Sequence, residues 1–298
     1  MSSNGGLSLR QSRSSASNKN SIGARHTPPP TTLTPENPEA RFEPCAATAS
    51  FLLYAQQRTV LVLHHDTLAI ERRFHGHADA VSWIAVDNAS ERGSGRLAVS
   101  SDVGKTTIVW DILTGGEIAR FSSYENMVVA NFMRNGNIAF GNDKGNIVLF
   151  EPSTSEHISA RTIYDPITAI APSADCRTFA IGYQNGSILI ATLQPSFTIL
   201  HTLTTTRAPS QITGLAWHGS SSKQKTDMLA TQTMDGDLRV WSVPKAPHSE
   251  QPNIIRVLQR ADVPSSGPCW FAWSKNGRIV QYAEGYVLHD IQISMVFS

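Results

Sequence analysis

The sequence predicts an all-β protein assembled from repeated four-stranded sheets. Three observations carry the prediction. Residues 76–121 divide into four short runs, 81–86, 97–101, 106–112 and 117–121, rich in β-branched or aromatic residues and bounded by Gly, Asp, Asn or Ser; this is the pattern of strand, turn, strand. The apolar residue that opens the first run recurs as Val81, Met127, Ile167, Ile212 and Pro268, at spacings of 46, 40, 45 and 56. The end of the third run recurs as Trp110, Phe150, Ala191 and Trp241, at spacings of 40, 41 and 50. A single small sheet cannot bury both of its faces, and strands recurring every ~40–45 residues are the signature of β-propeller blades.

Residues 1–40 are a different material. Up to Arg25 they are rich in Ser, Asn and Gly, with Leu7, Leu9 and Ile22 the main apolar side chains; Pro28, Pro29, Pro30 and Pro35 follow. Such a segment cannot bury enough surface to offset its ordering entropy, so it is expected to be disordered, with the propeller occupying 41–298. Arg10, Arg13, Lys19 and Arg25, with no acid before Glu36, give it the composition of a mitochondrial transit peptide. No amphipathic helical period accompanies them, and a basic disordered tail is the simpler reading. Thr27-Pro28 and Thr34-Pro35 have the form of proline-directed phosphorylation sites.

The first blade spans about 42–73, with strands at 51–55 and 59–63 turned by Gln56-Gln-Arg58. The second is the 76–121 unit, with an insertion at 88–95. The third covers 127–163, its turn Asn142-Asp-Lys-Gly145 leading into 146–150. The fourth covers 167–203, with a strand at 178–183 and the turn Gln184-Asn-Gly186. The fifth opens at Ile212, carries a polar loop at 219–226, and has strands at 228–233 and 237–243 around Met234-Asp-Gly236; the loop 244–252 precedes a strand at 254–258. A sixth starts with 268–273 and 278–282 and loses the pattern after Gly285, although 291–297 is strand-like.

Composition excludes several function classes. Lys plus Arg is 25 against 24 for Asp plus Glu, and charged residues are 16 % of the chain. That balance argues against duplex nucleic acid or an anionic membrane as the main partner. No run of ~18 apolar residues is present, so no membrane span is expected, and no signal-peptide core follows Met1. Cys45, Cys176 and Cys269 are distant and odd in number; they read as buried free thiols of a reducing compartment rather than a disulfide or zinc framework. The expected location is the cytoplasm, the nucleus being possible.

The Gly76-His77 opening and the Ile108-Val-Trp110-Asp111 ending resemble the WD-repeat family. The resemblance covers roughly 42–285, strongest at 76–122 and clear at 235–241. It implies a buried hydrogen-bonded chain of His, Ser or Thr, Asp and Trp within a blade. The matching residues are His77, Ser100 or Ser101, Asp102 and Trp110 in blade two, and Thr231 or Thr233, Asp235 and Trp241 in blade five. Asp102 lies two residues further from its Trp than Asp235 does from Trp241, and Ala208 stands at the blade-five His position. No blade is therefore expected to complete the network, and these residues are expected to be structural rather than catalytic. Seven blades are usual in the family. Five and a half to six here, failing abruptly at Gly285, suggest a ring truncated relative to its relatives, with 286–298 read through from an intron. The alternative is a six-bladed ring whose last strands are 286–289 and 291–297.

Three motifs mimic other chemistry. Gly104-Lys105-Thr106 looks like the end of a phosphate-binding loop, but Val99 replaces its first glycine and a strand follows in place of the helix. His64-His65-Asp66 and His75-x-His77 have metal-like spacing but fall at a turn and a blade opening. Asn88-Ala-Ser90 and Asn185-Gly-Ser187 match glycosylation sequons but read as turns.

The functional expectation is a non-catalytic scaffold that binds peptides or domains, with other proteins as partners and no cofactor or metal. By resemblance, recognition residues flank the first apolar residue of each inner strand: Ala80 and Ser82, Asn126 and Val128, Pro166 and Thr168, Gln211 and Thr213. Tyr124, Tyr164, Asp165 and Arg207 add aromatic and charged anchors. The alternative is a propeller hydrolase or oxidoreductase, which needs convergent carboxylates or imidazoles in the channel. The inner-strand stretches 81–86, 127–133, 167–172 and 212–217 hold no Glu, Lys or His, and a small-molecule substrate is not expected. A vesicle-coat or ubiquitin-ligase subunit is a further form of scaffold.

Overall fold

The computed structural model describes residues 44–298 except 92, 123, 164, 204–208, 219–223, 246–249, 259–268, 275, 276, 284, 285 and 293–298; at 161, 269, 270, 280–283 and 286–292 it describes the backbone alone. The expected tail, with Thr27 and Thr34, lies outside these residues, as do Pro268 and Ala208.

All regular structure among the described residues is strand. Sheet I contains β1 (Cys45–Ala47), β2 (Phe51–Gln56), β3 (Thr59–His64) and β4 (Ile70–His75); sheet II contains β5 (Val81–Val86), β6 (Leu97–Asp102), β7 (Thr107–Asp111) and β8 (Glu117–Phe121). Sheet III contains β9 (Met127–Phe132), β10 (Ile138–Asn142), β11 (Asn146–Glu151) and β12 (Glu156–Arg161); sheet IV contains β13 (Ile167–Pro172), β14 (Thr178–Tyr183), β15 (Ile188–Thr192) and β16 (Thr198–Leu203). Sheet V contains β17 (Ile212–Trp217), β18 (Thr226–Thr233), β19 (Leu238–Pro244) and β20 (Asn253–Leu258); sheet VI contains β21 (Cys269–Trp273), β22 (Arg278–Ala283) and β23 (Tyr286–Gln292). Every sheet is antiparallel in chain order, and first strands stack on first strands: β1 on β5, β5 on β9, β9 on β13, β13 on β17 and β17 on β21.

One expectation is met in part and one is corrected. Of the strand-like run 291–297, residues 293–297 lie outside the described residues; the strand expected at 286–289 is present as β23, Tyr286–Gln292, which continues sheet VI and pairs Ile291 with Ile279 and Asp290 with Val280. Only residues 284 and 285 separate it from β22; so short a connection fixes an antiparallel return whatever the propensity of its His and Asp. The thiols of Cys45 and Cys176 are free but not buried, because Cys45 faces outward from a three-residue strand and Cys176 occupies a turn at φ 59°.

The core consists of the seams between consecutive sheets, and period-two alternation sends each strand's side chains to both neighbours. In β7, Ile108 and Trp110 pack with Leu53, Val60, Val62 and Phe74 of sheet I, while Val109 packs with Phe132, Ile138 and Phe140 of sheet III. In β15, Leu189 and Ala191 join Ala139 and Ile147 of sheet III, while Ile188 and Ile190 join Ile212, Leu229 and Trp241 of sheet V. Trp110, Phe150, Ala191 and Trp241 all face the preceding sheet, so the recurrence seen in the sequence is a recurrence of seam geometry. Indoles add bonds across seams: Trp217 Nε1 donates to the Ala171 carbonyl at 2.9 Å, and Trp273 Nε1 to the Ala216 carbonyl at 2.9 Å.

Trp110 is 3 % exposed and stacks on Phe74 with ring centroids 4.9 Å apart. Trp110→Ala is expected to cost about 3–5 kcal/mol in a denaturant titration; a loss below ~1 kcal/mol would show that sheets I and II do not pack as described.

Candidate functional site

The first strands of sheets II to V share a register shift. Val81 pairs with Asp102 and Trp83 with Ser101, so Ser82 is passed over. Val128, Thr168 and Thr213 are passed over in the same way. Each is therefore the extra residue of a β-bulge, a device that re-aims a side chain. Ser82 and Thr213 are exposed, Val128 marginally so, and Thr168 half-buried. The Ser82 hydroxyl donates to the Ser101 carbonyl at 3.1 Å and that of Thr168 to the Gly182 carbonyl at 3.4 Å.

The residues on the other side of each anchor are held by the turn between second and third strands. The carbonyl of Ala80 accepts from Val103 N at 2.8 Å, that of Pro166 from Gln184 N at 3.0 Å, and that of Gln211 from Met234 N at 2.8 Å. In sheet III the link is made by side chains: the Asn126 amide, at a φ of 37°, donates to the Asp143 carboxylate. Tyr183 donates to Thr162 at 2.8 Å, and Thr162 to the Gly145 carbonyl at 2.7 Å; burial pushes the Tyr183 pKa up to about 12, so it remains a donor. These bonds bring the inner-strand starts and the turns together at one end of the sheets and hold that rim rigid.

Tyr124 stands on this rim, 80 % exposed, with Lys144 Nζ 4.1 Å from its ring centroid and donating to its carbonyl at 3.1 Å. Asp165 is half-buried and caps a turn by accepting from Asn185 N at 3.0 Å, so its carboxylate is engaged in structure. Tyr164 and Arg207 lie outside the described residues. Sequence reasoning missed Val103, Lys144 and Met234, exposed residues of the turns beside the rim; their signal was their place just after a second strand.

The network in sheet II is complete, which corrects the expectation that no blade would assemble one. His77 Nδ1 bonds Asp102 Oδ2 at 2.9 Å, His77 Nε2 bonds Ser100 Oγ at 2.7 Å, and Trp110 Nε1 donates to Ser100 Oγ at 2.8 Å. A neutral imidazole satisfies every member: Nδ1–H donates to the carboxylate, and Nε2 accepts from the hydroxyl, whose oxygen accepts from the indole. The Thr106 N–H supplies Asp102 Oδ1 at 2.9 Å. Ser101 is not a member; its hydroxyl accepts from Thr107 at 2.9 Å. The odd spacing of Asp102 is explained by the hairpin. Ala98 pairs with Trp110 and Leu229 with Trp241, the same offset in both sheets. The loop is therefore not longer; the carboxylate sits on the end of β6, where sheet V has Thr233. Gly76 completes the arrangement, since a Cβ there would lie 2.8 Å from the Trp110 ring.

In sheet V only part of such a chain forms. Trp241 Nε1 donates to Thr231 at 3.2 Å, whereas Thr233 bonds Asp235 in the exposed turn.

The other motifs are dispersed. Lys105 is a turn residue at a φ of 70°, 3.9 Å from Asp143. His65 pairs with Asp66 on the surface at 3.2 Å, His75 lies 3.3 Å from Thr59 Oγ1, and His77 is in the network. Among the described residues no three His, Cys, Asp or Glu side chains converge on a metal position. Asn88 donates to the Ala47 carbonyl at 2.8 Å. A cleft of about 350 Å³ between sheets IV and V is lined by Asp175, Trp217, Asp227 and Lys245, with Lys245 and Asp227 paired at 3.2 Å.

Burial lowers the His77 pKa against the opposing bond and charge of Asp102; burial also lowers that of His218. A depressed imidazole pKa leaves the unfolded chain with more protons than the native one below the ordinary value of ~6.5. The stabilisation is thus whole above that pH and is lost as pH falls through it. Stability measured by urea titration is expected to drop from pH 7.5 to 5, with a shallower slope in His77→Leu. Ser100→Ala, which leaves both His77 and Trp110 without a partner, is expected to cost about 1–3 kcal/mol at neutral pH.

No family model and no curated protein matches the sequence. Among solved structures, the β-propeller domain of Cps50 (Swd1) from Myceliophteria thermophila superposes with a TM-score of 0.62 at 16 % identity, over 82 % of this chain and 80 % of that one. Repeated four-stranded antiparallel sheets, the sheet II network and this shared architecture together give the chain the fold of a WD-repeat β-propeller.

Proposed function

We propose that this chain is a non-catalytic interaction module that takes a peptide or domain on the rim of its propeller. The observation that carries the reading is the bulge repeated at Ser82, Val128, Thr168 and Thr213. Four sheets spend the same irregularity on presenting one side chain at one rim, next to exposed Tyr124, Val103 and Met234. Rigid backbone with adaptable small polar and isolated apolar or aromatic groups suits protein recognition, where a few buried aromatics supply most of the affinity.

An enzyme is the poorer reading. Ser100, His77 and Asp102 have the connectivity of a hydrolase triad, but Ser100 is 1 % exposed and its oxygen is capped by the Trp110 indole. A substrate carbonyl cannot reach it. The balanced charge supports protein partners over nucleic acid, and among the described residues no helix is long and apolar enough to cross a membrane. The cytoplasm or nucleus is the proposed setting.

A variant carrying Tyr124→Ala, Val128→Asp and Thr213→Arg is expected to lose the partners that wild-type protein retains in affinity capture, with Tm within ~2 °C of wild type, since all three side chains are on the surface. Retention of every partner by the variant would assign recognition to another face.

A further inference from the structure

Two residues before the seam anchors Trp110, Phe150 and Ala191 stand Ile108, Val148 and Leu189, each buried against the preceding sheet. The same place in sheet V holds Arg239, which is 7 % exposed. Its register partner is Thr231, as Ser100 is that of Ile108. A cation buried where three sister sheets keep an aliphatic side chain is costly unless its donors are met. Nε donates to Asp237 Oδ2 at 2.5 Å, and among the described residues no acceptor meets the N–H groups of Nη1 and Nη2. The Thr231 hydroxyl accepts from Trp241 Nε1 at 3.2 Å, and among the described residues its own proton also lacks an acceptor. In sheet II the Ser100 hydroxyl meets the His77 imidazole instead.

These donors line a cavity of about 50 Å³ between sheets IV and V, whose rim end is formed by Gly186, Ser210 and Asp235. Gly186, at a φ of 84°, is its lip; a Cβ there would lie 2.8 Å from both the nitrogen and the oxygen of Ser210. Charge selects the occupant. Asp237 already balances Arg239, and Asp235 adds a second carboxylate to the lining, so an anion is repelled. The guanidinium repels a cation. An uncharged acceptor oxygen is what the unmet donors call for. A water needs ~10–15 Å³ of such space, so the cavity suits a group of a few heavy atoms and not a ring. We propose that it takes the side-chain carboxamide of an Asn or Gln residue in a peptide held on the rim, a reading that rests on the rim being the recognition surface. The carboxamide oxygen accepts from Arg239 Nη and from Thr231, and its partly positive nitrogen suits the negative side of the lining.

NMR titration of the full chain with short peptides tests this. Acetyl-Gly-Gln-Gly-N-methylamide and its Asn, Glu and Leu counterparts are added to isotope-labelled protein. The signal read is the Trp241 indole N–H, which bonds Thr231 and is assigned by its loss in Trp241→Phe. The Gln or the Asn peptide is expected to move it saturably, with a Kd at least tenfold below those of the Glu and Leu peptides. Arg239→Leu combined with Asp237→Ser gives sheet V the residues that sheet IV has as Leu189 and Ser187. Exchange of a buried ion pair for such residues is commonly tolerated, so the Tm is expected to hold while the response vanishes. Absence of a shift with both amide peptides on wild type, or equal binding of the Glu or Leu peptide, overturns the proposal whether or not the double variant folds. So does a folded double variant that keeps the response. Affinity capture separates the proposal from the reading it rests on. Partners lost by the rim triple variant, but all kept by the folded double variant, leave the rim as the recognition surface and overturn the carboxamide pocket.

Discussion

Every feature of this molecule depends on one packing constraint: a four-stranded sheet has two apolar faces, and among the described residues there is no helix to cover either. Only another sheet can do so, and covering one face of that sheet leaves its other face bare. The result is a series of seams. Within one strand, neighbours such as Trp110 and Val109 belong to different cores. Burial of each large side chain contributes about 1.5–3 kcal/mol, and every seam collects several. Close approach then dictates small residues: a Cβ at Gly141 would lie 2.5 Å from Ile167, and one at Gly182 2.5 Å from Ile212. The same position in sheet II is Ser101 and in sheet V is Gln232.

Gln232 marks where the constraint is met least well. It is 1 % exposed, and among the described residues neither its amide nitrogen nor its amide oxygen has a partner. Among the described residues, Ala230, Leu238, Val240 and Ile279 are buried at the seam it belongs to, between sheets V and VI. A larger polar side chain occupies the place that glycine holds in sheets III and IV. The Trp273 bond to the Ala216 carbonyl braces this seam, with the His218 ring edge-on to Trp273 at 4.9 Å. A buried amide left without a partner costs about 1–3 kcal/mol.

The repeat was legible in the sequence because seam geometry forces the same residue class to the same place, and Trp110, Phe150, Ala191 and Trp241 are sufficient to count it. Strands rich in Val, Ile and Ala were placed within a residue or two. Less legible were β4 and β23, whose charged and polar residues are tolerated on edges or imposed by a short hairpin. The network in sheet II was misread because spacing was counted along the chain. Distance across a hairpin depends on register, and Asp102 at a strand end reaches the imidazole that a turn residue was expected to reach. The positions of Ser82, Val128, Thr168 and Thr213 were available by resemblance, but their bulge was not. No Gly or Pro announces it; it arises from pairing between strands that sequence periodicity does not encode.

One irregularity thus has two uses in this chain. Placed on a first strand, a bulge lifts a side chain out of the ladder and offers it to solvent; placed between third and fourth strands, as at Glu71, Ile118, Leu200 and Ile255, it spoils the outer edge as a template. The two positions are three strand spacings apart, about 15 Å at ~4.8 Å each, so the rim and the outer edge of sheet III are separate surfaces. Tyr124 and Val128 project at the start of β9, and β12 closes the opposite side of the same sheet.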